Sequence, residues 1–265
     1  MAALLLALLV HTVISGSAGS PPALAAGPSE ARPASFDHEH AAWSAILTRY
    51  VVEGRVDYRG ILERGQPALQ DYLNTLESAA SSEATWGRSE RMAFWINAYN
   101  AYTVRLILDH YPLRSIRAIG FLPLAAFRSR FIPLGANRRL ISLNTIENEM
   151  LRAQFRDARI HFTIVCASKS CPALRSEAYR ASALDRQLQE AADAFLHDPS
   201  KNRWEPESGT LRLSSIFTWF RSDFERDGGT LNGFVQHYLT LPGANRIGTA
   251  PKLDFLPYDW ALNGQ

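Results

Sequence analysis

The stretch Arg159-Ile-His-Phe-Thr-Ile-Val-Cys-Ala-Ser-Lys-Ser-Cys-Pro172 holds a histidine, His161, and both cysteines of the chain, Cys166 and Cys171. Cysteine with histidine is the minimum for nucleophilic acyl transfer. The imidazole takes the thiol proton, the thiolate attacks a carbonyl carbon, and a third polar group orients the ring. Proline is favoured at the first position of a helix, so Pro172 predicts a helix start with Cys171 in the cap position. A thiol there faces unpaired backbone N–H groups and the positive end of the helix dipole, and both favour thiolate. Cys171 is then the candidate nucleophile and His161 the candidate base. Glu147 or Asn97 is the candidate orienting group, and the N–H groups after Cys171 would form the oxyanion hole.

Each of these residues has a plainer reading. Two cysteines five positions apart can close a small disulfide loop, and a bridge removes the nucleophile at rest. His161 sits among apolar neighbours and can be a core histidine with a hydrogen-bond partner. Glu147 can be an ordinary acid in the first turn of a helix. Asn97 and Asn100 lie one turn apart in Phe94-Trp95-Ile96-Asn97-Ala98-Tyr99-Asn100. Buried amides need partners, because an unpaired one costs roughly 1–3 kcal/mol. The pair therefore predicts a polar network in the core, either structural or catalytic. His161, Cys166, Cys171 and Glu147 include acceptable zinc ligands, but no C-x-x-C or H-x-x-x-H spacing occurs, and no metal is expected. There is no phosphate loop or dinucleotide fingerprint, so no cofactor is expected either.

The elements that must position these groups are helix-rich. Apolar spacing predicts helices over His38–Tyr50, Gln66–Ala79 and Ser89–His110, the last apolar nearly all round and therefore central. Val56 to Tyr58 reads as extended, and Leu113 to Pro133 as irregular and apolar. Arg138–Leu143 reads as a strand, followed by a helix through Phe155 capped by Asn144 or Thr145. Ile160–Val165 is β-branched and alternating, which predicts a buried strand. A long amphipathic helix over Ser182–His197, a strand at Leu211–Leu213, helices over Ser215–Phe224 and Leu231–Leu239 and a closing strand from Lys252 to Tyr258 complete an α+β reading: one helix-rich domain with a small sheet of short strands.

The chain has 265 residues with a net charge of +2, and 46% of them are hydrophobic. That composition excludes a disordered chain, and two cysteines exclude a disulfide-dense miniprotein. No basic stripe interleaved with aromatics marks a nucleic-acid binder. Met1 to Ser29 contains no charged side chain, and its run Ala2–Val10 is too short to span a bilayer. Followed by Ala23-Leu24-Ala25, it predicts a signal peptide over residues 1–25, a flexible lead-in over 26–36 and a globular domain over 37–265. The expected location is periplasmic or extracellular, with no integral membrane segment after signal removal.

Several segments together resemble the uncharacterised DUF547 family, over about Trp43 to Asn263. They are Arg91–Ala101, Ile141–Leu143 with Ile146-Glu147, His161–Leu174, Ile216–Phe220, and Tyr258–Trp260 with Leu262-Asn263. One departure is Asn148, where that family usually has histidine. The order of histidine before cysteine is also similar to circularly permuted papain-like hydrolases, an analogy of fold only. Two functions remain open at this level. One is an exported thiol-dependent hydrolase or acyltransferase on an amide, ester or peptide substrate. The other is a non-catalytic binding module with a structural Cys166–Cys171 bridge and a small-molecule or peptide ligand; a protein partner is unknown.

Overall fold

Every residue from Met92 to Val104 in the helix Arg88–Asp109 is buried, which makes this helix the axis of the fold. The computed structural model describes residues 35–122, 124–239 and 251–264. The expected signal segment and most of the lead-in lie outside the described residues. Glu90 accepts the Gly87 N–H at 2.7 Å and so caps the central helix. Ala93, Ala98 and Ala101 are fully buried in it; the helix Gln66–Ala79 packs on it, and the helix Ala41–Tyr50 packs on Gln66–Ala79. Trp43 stacks on Tyr72 at 5.5 Å between the last two. Three of the predicted helices are therefore observed within a few residues of the expected bounds.

Among the described residues the strands are short and fall into three sheets. β1 (Val51–Val52) and β2 (Arg55–Val56) form a hairpin whose turn residues Glu53 and Gly54 both have positive φ, the geometry of a primed turn. A Cβ on Gly54 would lie 2.5 Å from the Ala173 Cβ, so the hairpin tip presses on the segment after Cys171. β3 (Ile132–Gly135) pairs antiparallel with β4 (Arg139–Ile141). β5 (Arg203–Glu205), β6 (Thr210–Ser214) and β7 (Lys252–Leu256) form a mixed sheet, antiparallel between the first two and parallel between the last two. Leu211 and Leu213 of β6 face a second apolar cluster of Phe162, Phe195, Phe217, Phe224 and Phe234. The fold is α+β, helix-rich with small sheets.

Several local expectations are corrected. The helix capped ahead of Glu147 starts at Ser142, whose Oγ accepts the Thr145 N–H, and not at Asn144 or Thr145. Val56 ends β2, and Asp57 caps a helical turn, accepting the Gly60 N–H at 2.7 Å. Ile160–Val165 is not a strand: Ala158–Phe162 is a 3-10 turn capped by Asp157. Its alternating apolar pattern arises because it lies between the two cores, with Ile160 packed in the first and Phe162 in the second. No helix starts at Pro172; the next helical turn is Ala181–Ala183, ahead of the helix Leu184–Leu196.

The irregular segment from Thr163 to Arg180 is held instead by side-chain amides. Asn100 donates to the Thr163 C=O and accepts the Val165 N–H, both at 2.9 Å. Asn97 donates to the Tyr179 C=O at 2.7 Å and accepts its N–H at 3.0 Å. Gln187 does the same for the Ala178 C=O and the Arg180 N–H. Each carboxamide supplies the donor and acceptor that a neighbouring strand would have supplied, which is how a buried segment without a ladder satisfies its backbone.

Candidate functional site

A cavity of about 500 Å³ brings together Glu147, His161, Cys166 and Cys171, with Tyr99 and Tyr258 beside them. Asn97 is not on its wall, because both ends of its amide are engaged by Tyr179. Trp219, Trp260, Leu124 and Phe127 extend the wall as an apolar lining. A larger cleft of about 570 Å³, lined by Arg88, Arg156, Arg159 and Asp157, contains none of the sequence-predicted residues.

His161 is fixed on two sides. Its ring stacks on Phe220 with centroids 4.0 Å apart, and its Nε2 lies 2.8 Å from Asp223 Oδ2. Asp223 also accepts Arg152 Nε at 2.7 Å and Arg226 Nη1 at 3.1 Å. Burial alone would raise the Asp223 carboxyl, but the hydrogen bonds from His161 and Arg152 prevail and hold it well below the usual carboxylate range. Burial pushes His161 down and outweighs the Asp223 hydrogen bond. The imidazole is thus neutral near pH 7, donating Nε2–H to a carboxylate whose charge is balanced by two arginines. Its buried Nδ1 has no hydrogen-bond partner among the described residues and carries the lone pair.

Cys166 and Cys171 are joined as a disulfide, with their Cα atoms 6.1 Å apart. Ala167, at φ 58°, turns the chain between them. Cys171 Sγ accepts the Cys166 N–H at 2.8 Å and the Tyr258 O–H at 3.3 Å. The C-terminal tail places that tyrosine. Lys169 N–H bonds the Ala261 C=O at 2.8 Å, Asn263 N–H bonds the Ala167 C=O at 3.0 Å, and Asp259 N–H bonds Ser170 Oγ at 2.8 Å. The environment expected for Cys171 differs in one respect. Pro172 has no N–H and starts no helix, while the Cys171 N–H closes a turn onto the Ser168 C=O at 3.1 Å. The donors on its sulfur are therefore a loop amide and a phenol, and the expected oxyanion hole of helix N–H groups is not formed.

Glu147 lies in the π-helical stretch Ile146–Arg152 and makes no hydrogen bond or ion pair with another described residue. Burial lifts it to about 7, opposed by Arg152 and aided by Asp223. An unfolded glutamate ionises near 4.3. Between these values the unfolded chain has lost the proton and the folded one retains it, so stability falls as pH rises from about 4.3 to 7. Glu147→Gln is expected to be more stable than wild type at pH 8, by up to about 3 kcal/mol, with no difference at pH 4. Thermal midpoints of both proteins across that range check it; a gap independent of pH would remove Glu147 as its source.

Among the described residues no group of three or more His, Cys, Asp or Glu side chains is placed to hold a metal ion. No helix among them is long and apolar enough to cross a membrane.

Residues 84–196 match the family model described as "Protein of unknown function, DUF547". The chain carries a DUF547 region. No curated protein and no solved structure matches the chain. The match is narrower than the resemblance over Trp43 to Asn263. The DUF547 region supplies Glu147, His161 and the two cysteines, while Asp223, Phe220 and Tyr258 come from the chain beyond it. Asn148 lines the cavity and accepts a hydrogen bond from Arg152.

Sequence reasoning missed Asp223 and, as a site residue, Tyr258. Asp223 belongs to Arg221-Ser-Asp-Phe-Glu-Arg-Asp, where three acids alternate with arginines as on any solvated helix face. Only Phe220 and Phe224 flanking it signalled that this turn is buried.

Proposed function

We propose that the cavity is the site of a thiol-dependent hydrolase or acyltransferase acting on an amide, ester or peptide, with Cys171 as nucleophile once a thiol reductant has opened the bridge. The wiring of His161 carries this reading: Nε2–H is held by Asp223, and the Nδ1 lone pair has no partner among the described residues beside the cavity that Cys171 also lines. Two external thiols reduce the bridge and leave as their disulfide. His161 Nδ1 then takes the Cys171 proton, and the thiolate attacks the carbonyl carbon. The returning proton goes to the leaving amine or alcohol, and water or another acceptor cleaves the thioester with His161 again as base. The Cys166 N–H and Tyr258 O–H bonds to Cys171 Sγ favour its thiolate. Tyr258, whose O–H reaches Cys171 Sγ at 3.3 Å, is the side-chain donor we assign to the oxyanion.

The closed bridge favours a second reading, a binding module in which the disulfide and the amides hold an aromatic-lined pocket. Under either reading we place the chain outside the cytosol, where a bridge persists, in keeping with the apolar run Ala2–Val10 and Ala23-Leu24-Ala25.

Iodoacetamide labelling read by intact mass separates the two. The hydrolase reading expects no label before reduction. After reduction, Cys171 reacts with an apparent pKa well below the unperturbed ~8.5, and Cys171→Ala abolishes any amide or ester hydrolysis while the fold is retained. A reduced Cys171 titrating at or above that value, or hydrolysis that survives Cys171→Ala, leaves the binding module as the better account.

A further inference from the structure

Between His110 and Ile146 the chain has six arginines and no Asp or Glu. Within this run Gly120, Phe121 and Leu122, and then Leu124, turn outward. Phe121 is fully exposed, Leu122 is 75% exposed and Leu124 44%. A single exposed leucine carries no message, but three neighbouring large apolar side chains lifted into water together do. The loop is built to hold them there. Ile116 and Ile119 are buried beneath it, and the Ala125 N–H bonds the Leu122 C=O at 3.0 Å. Its base is tied to the C-terminal tail by Leu262 N–H on the Arg114 C=O at 2.9 Å. Gly120 adopts φ 80°, where a Cβ would lie 2.6 Å from the Ala125 Cβ.

Arg114, Arg117, Arg128 and Arg130 flank this tip and are exposed, and none makes an ion pair with a described residue. Many other arginines are paired, as with Arg152–Asp223, Arg159–Asp157 and Arg212–Asp254. Arg59, Arg139 and Arg156 also lack an ion pair with a described residue; what sets these four apart is that they flank an exposed apolar tip, with Arg117 lying 5.4 Å over the Trp260 ring. We infer that the Phe121-Leu122 tip and its four arginines dock on the surface of an anionic phospholipid bilayer. The apolar side chains enter the boundary between headgroups and acyl chains, and the guanidinium groups meet lipid phosphates at the base of the tip. A water-soluble polyanion would use the arginines and leave Phe121 and Leu122 in water. A lipid surface matches both halves of the patch. Leu124, Phe127, Arg117 and Arg128 also line the cavity, so docking would set its wall against the membrane. This inference holds whether or not the cavity performs thiol chemistry.

The test is co-sedimentation of the full chain with vesicles of phosphatidylcholine alone and of equimolar phosphatidylcholine and phosphatidylglycerol. Binding is expected only to the anionic vesicles, weakening with salt. Phe121→Ser with Leu122→Ser should lower affinity roughly tenfold or more. Each of Arg114→Gln, Arg128→Gln and Arg130→Gln should cost about fivefold. Unchanged thermal midpoints would confirm that these exposed positions leave the fold intact. The inference is overturned if wild type ignores anionic vesicles or binds neutral ones equally well. Vesicle binding that survives the tip variant also overturns it, because the apolar N-terminal run would then be responsible. So would binding to polyglutamate without vesicle binding, or a self-association that Phe121→Ser abolishes.

Discussion

Asp223→Ala is expected to lower the free energy of unfolding by about 2–4 kcal/mol at pH 7. The alanine leaves His161 Nε2–H buried without an acceptor and removes the carboxylate between Arg152 and Arg226. The two arginines reach solvent in part, which keeps the loss below that of a fully enclosed pair. Asp223 is depressed in the folded state, so its stabilising contribution is present above the unfolded carboxylate value of ~3.9 and is lost as pH falls below it. Urea unfolding of both proteins at pH 7 and pH 3 should therefore show a gap that narrows in acid. A loss that persists undiminished at pH 3 would mean that packing, and not charge, is what the alanine removed. If the cavity is catalytic, the same variant frees the imidazole tautomer, and any hydrolysis should fall together with stability.

Asn100→Leu is expected to cost about 2–5 kcal/mol, although leucine has the branching of asparagine and suits the central helix better by propensity. The carboxamide serves the Thr163 C=O and the Val165 N–H at once, and both lie in the buried interior. Leucine satisfies neither. Asn100→Asp restores the acceptor but not the donor and sets an acidic group against the Thr163 carbonyl, so it should be no better than leucine near pH 7. Equilibrium unfolding in urea gives both values. A loss below about 1 kcal/mol for the leucine variant would show that Thr163 and Val165 find other partners.

These two positions also mark where the sequence was readable and where it was not. The central helix was legible because sixteen buried side chains on one helix leave a pattern that a single turn of sequence reports. The helix Leu184–Leu196 and β6 were legible for the same reason, each having one apolar face. Ile160–Val165 misled because β-branched alternation reports burial on two sides, and a ladder is only one way to satisfy the backbone there. Asn100 provides another, from 65 residues earlier. Helix initiation at Pro172 failed because proline at a first turn is permissive and cannot itself start a helix. Downstream of it, Asn97 and Gln187 clasp the backbone of Tyr179 and Arg180, and Gly54 of the hairpin presses on Ala173. At the site, His161, Glu147 and the cysteines could be picked out by chemical type. Asp223 and Tyr258 could not, since their roles depend on contacts spanning 62 and 87 residues.

The amide clasps have a consequence in time as well as in energy. Val165, Tyr179 and Arg180 lie outside any strand or helix, where backbone protons ordinarily exchange with water through small local openings. Here their N–H groups end on Asn100, Asn97 and Gln187, side chains of two buried helix faces. Releasing these protons requires the clasp to let go of a residue that is itself locked in a helix. In deuterated buffer they should exchange as slowly as the amides of the helix Arg88–Asp109, while those of exposed Glu207 and Ser208 exchange at once. A segment with no regular structure would then behave, on the scale of hours, as part of the most rigid element of the molecule.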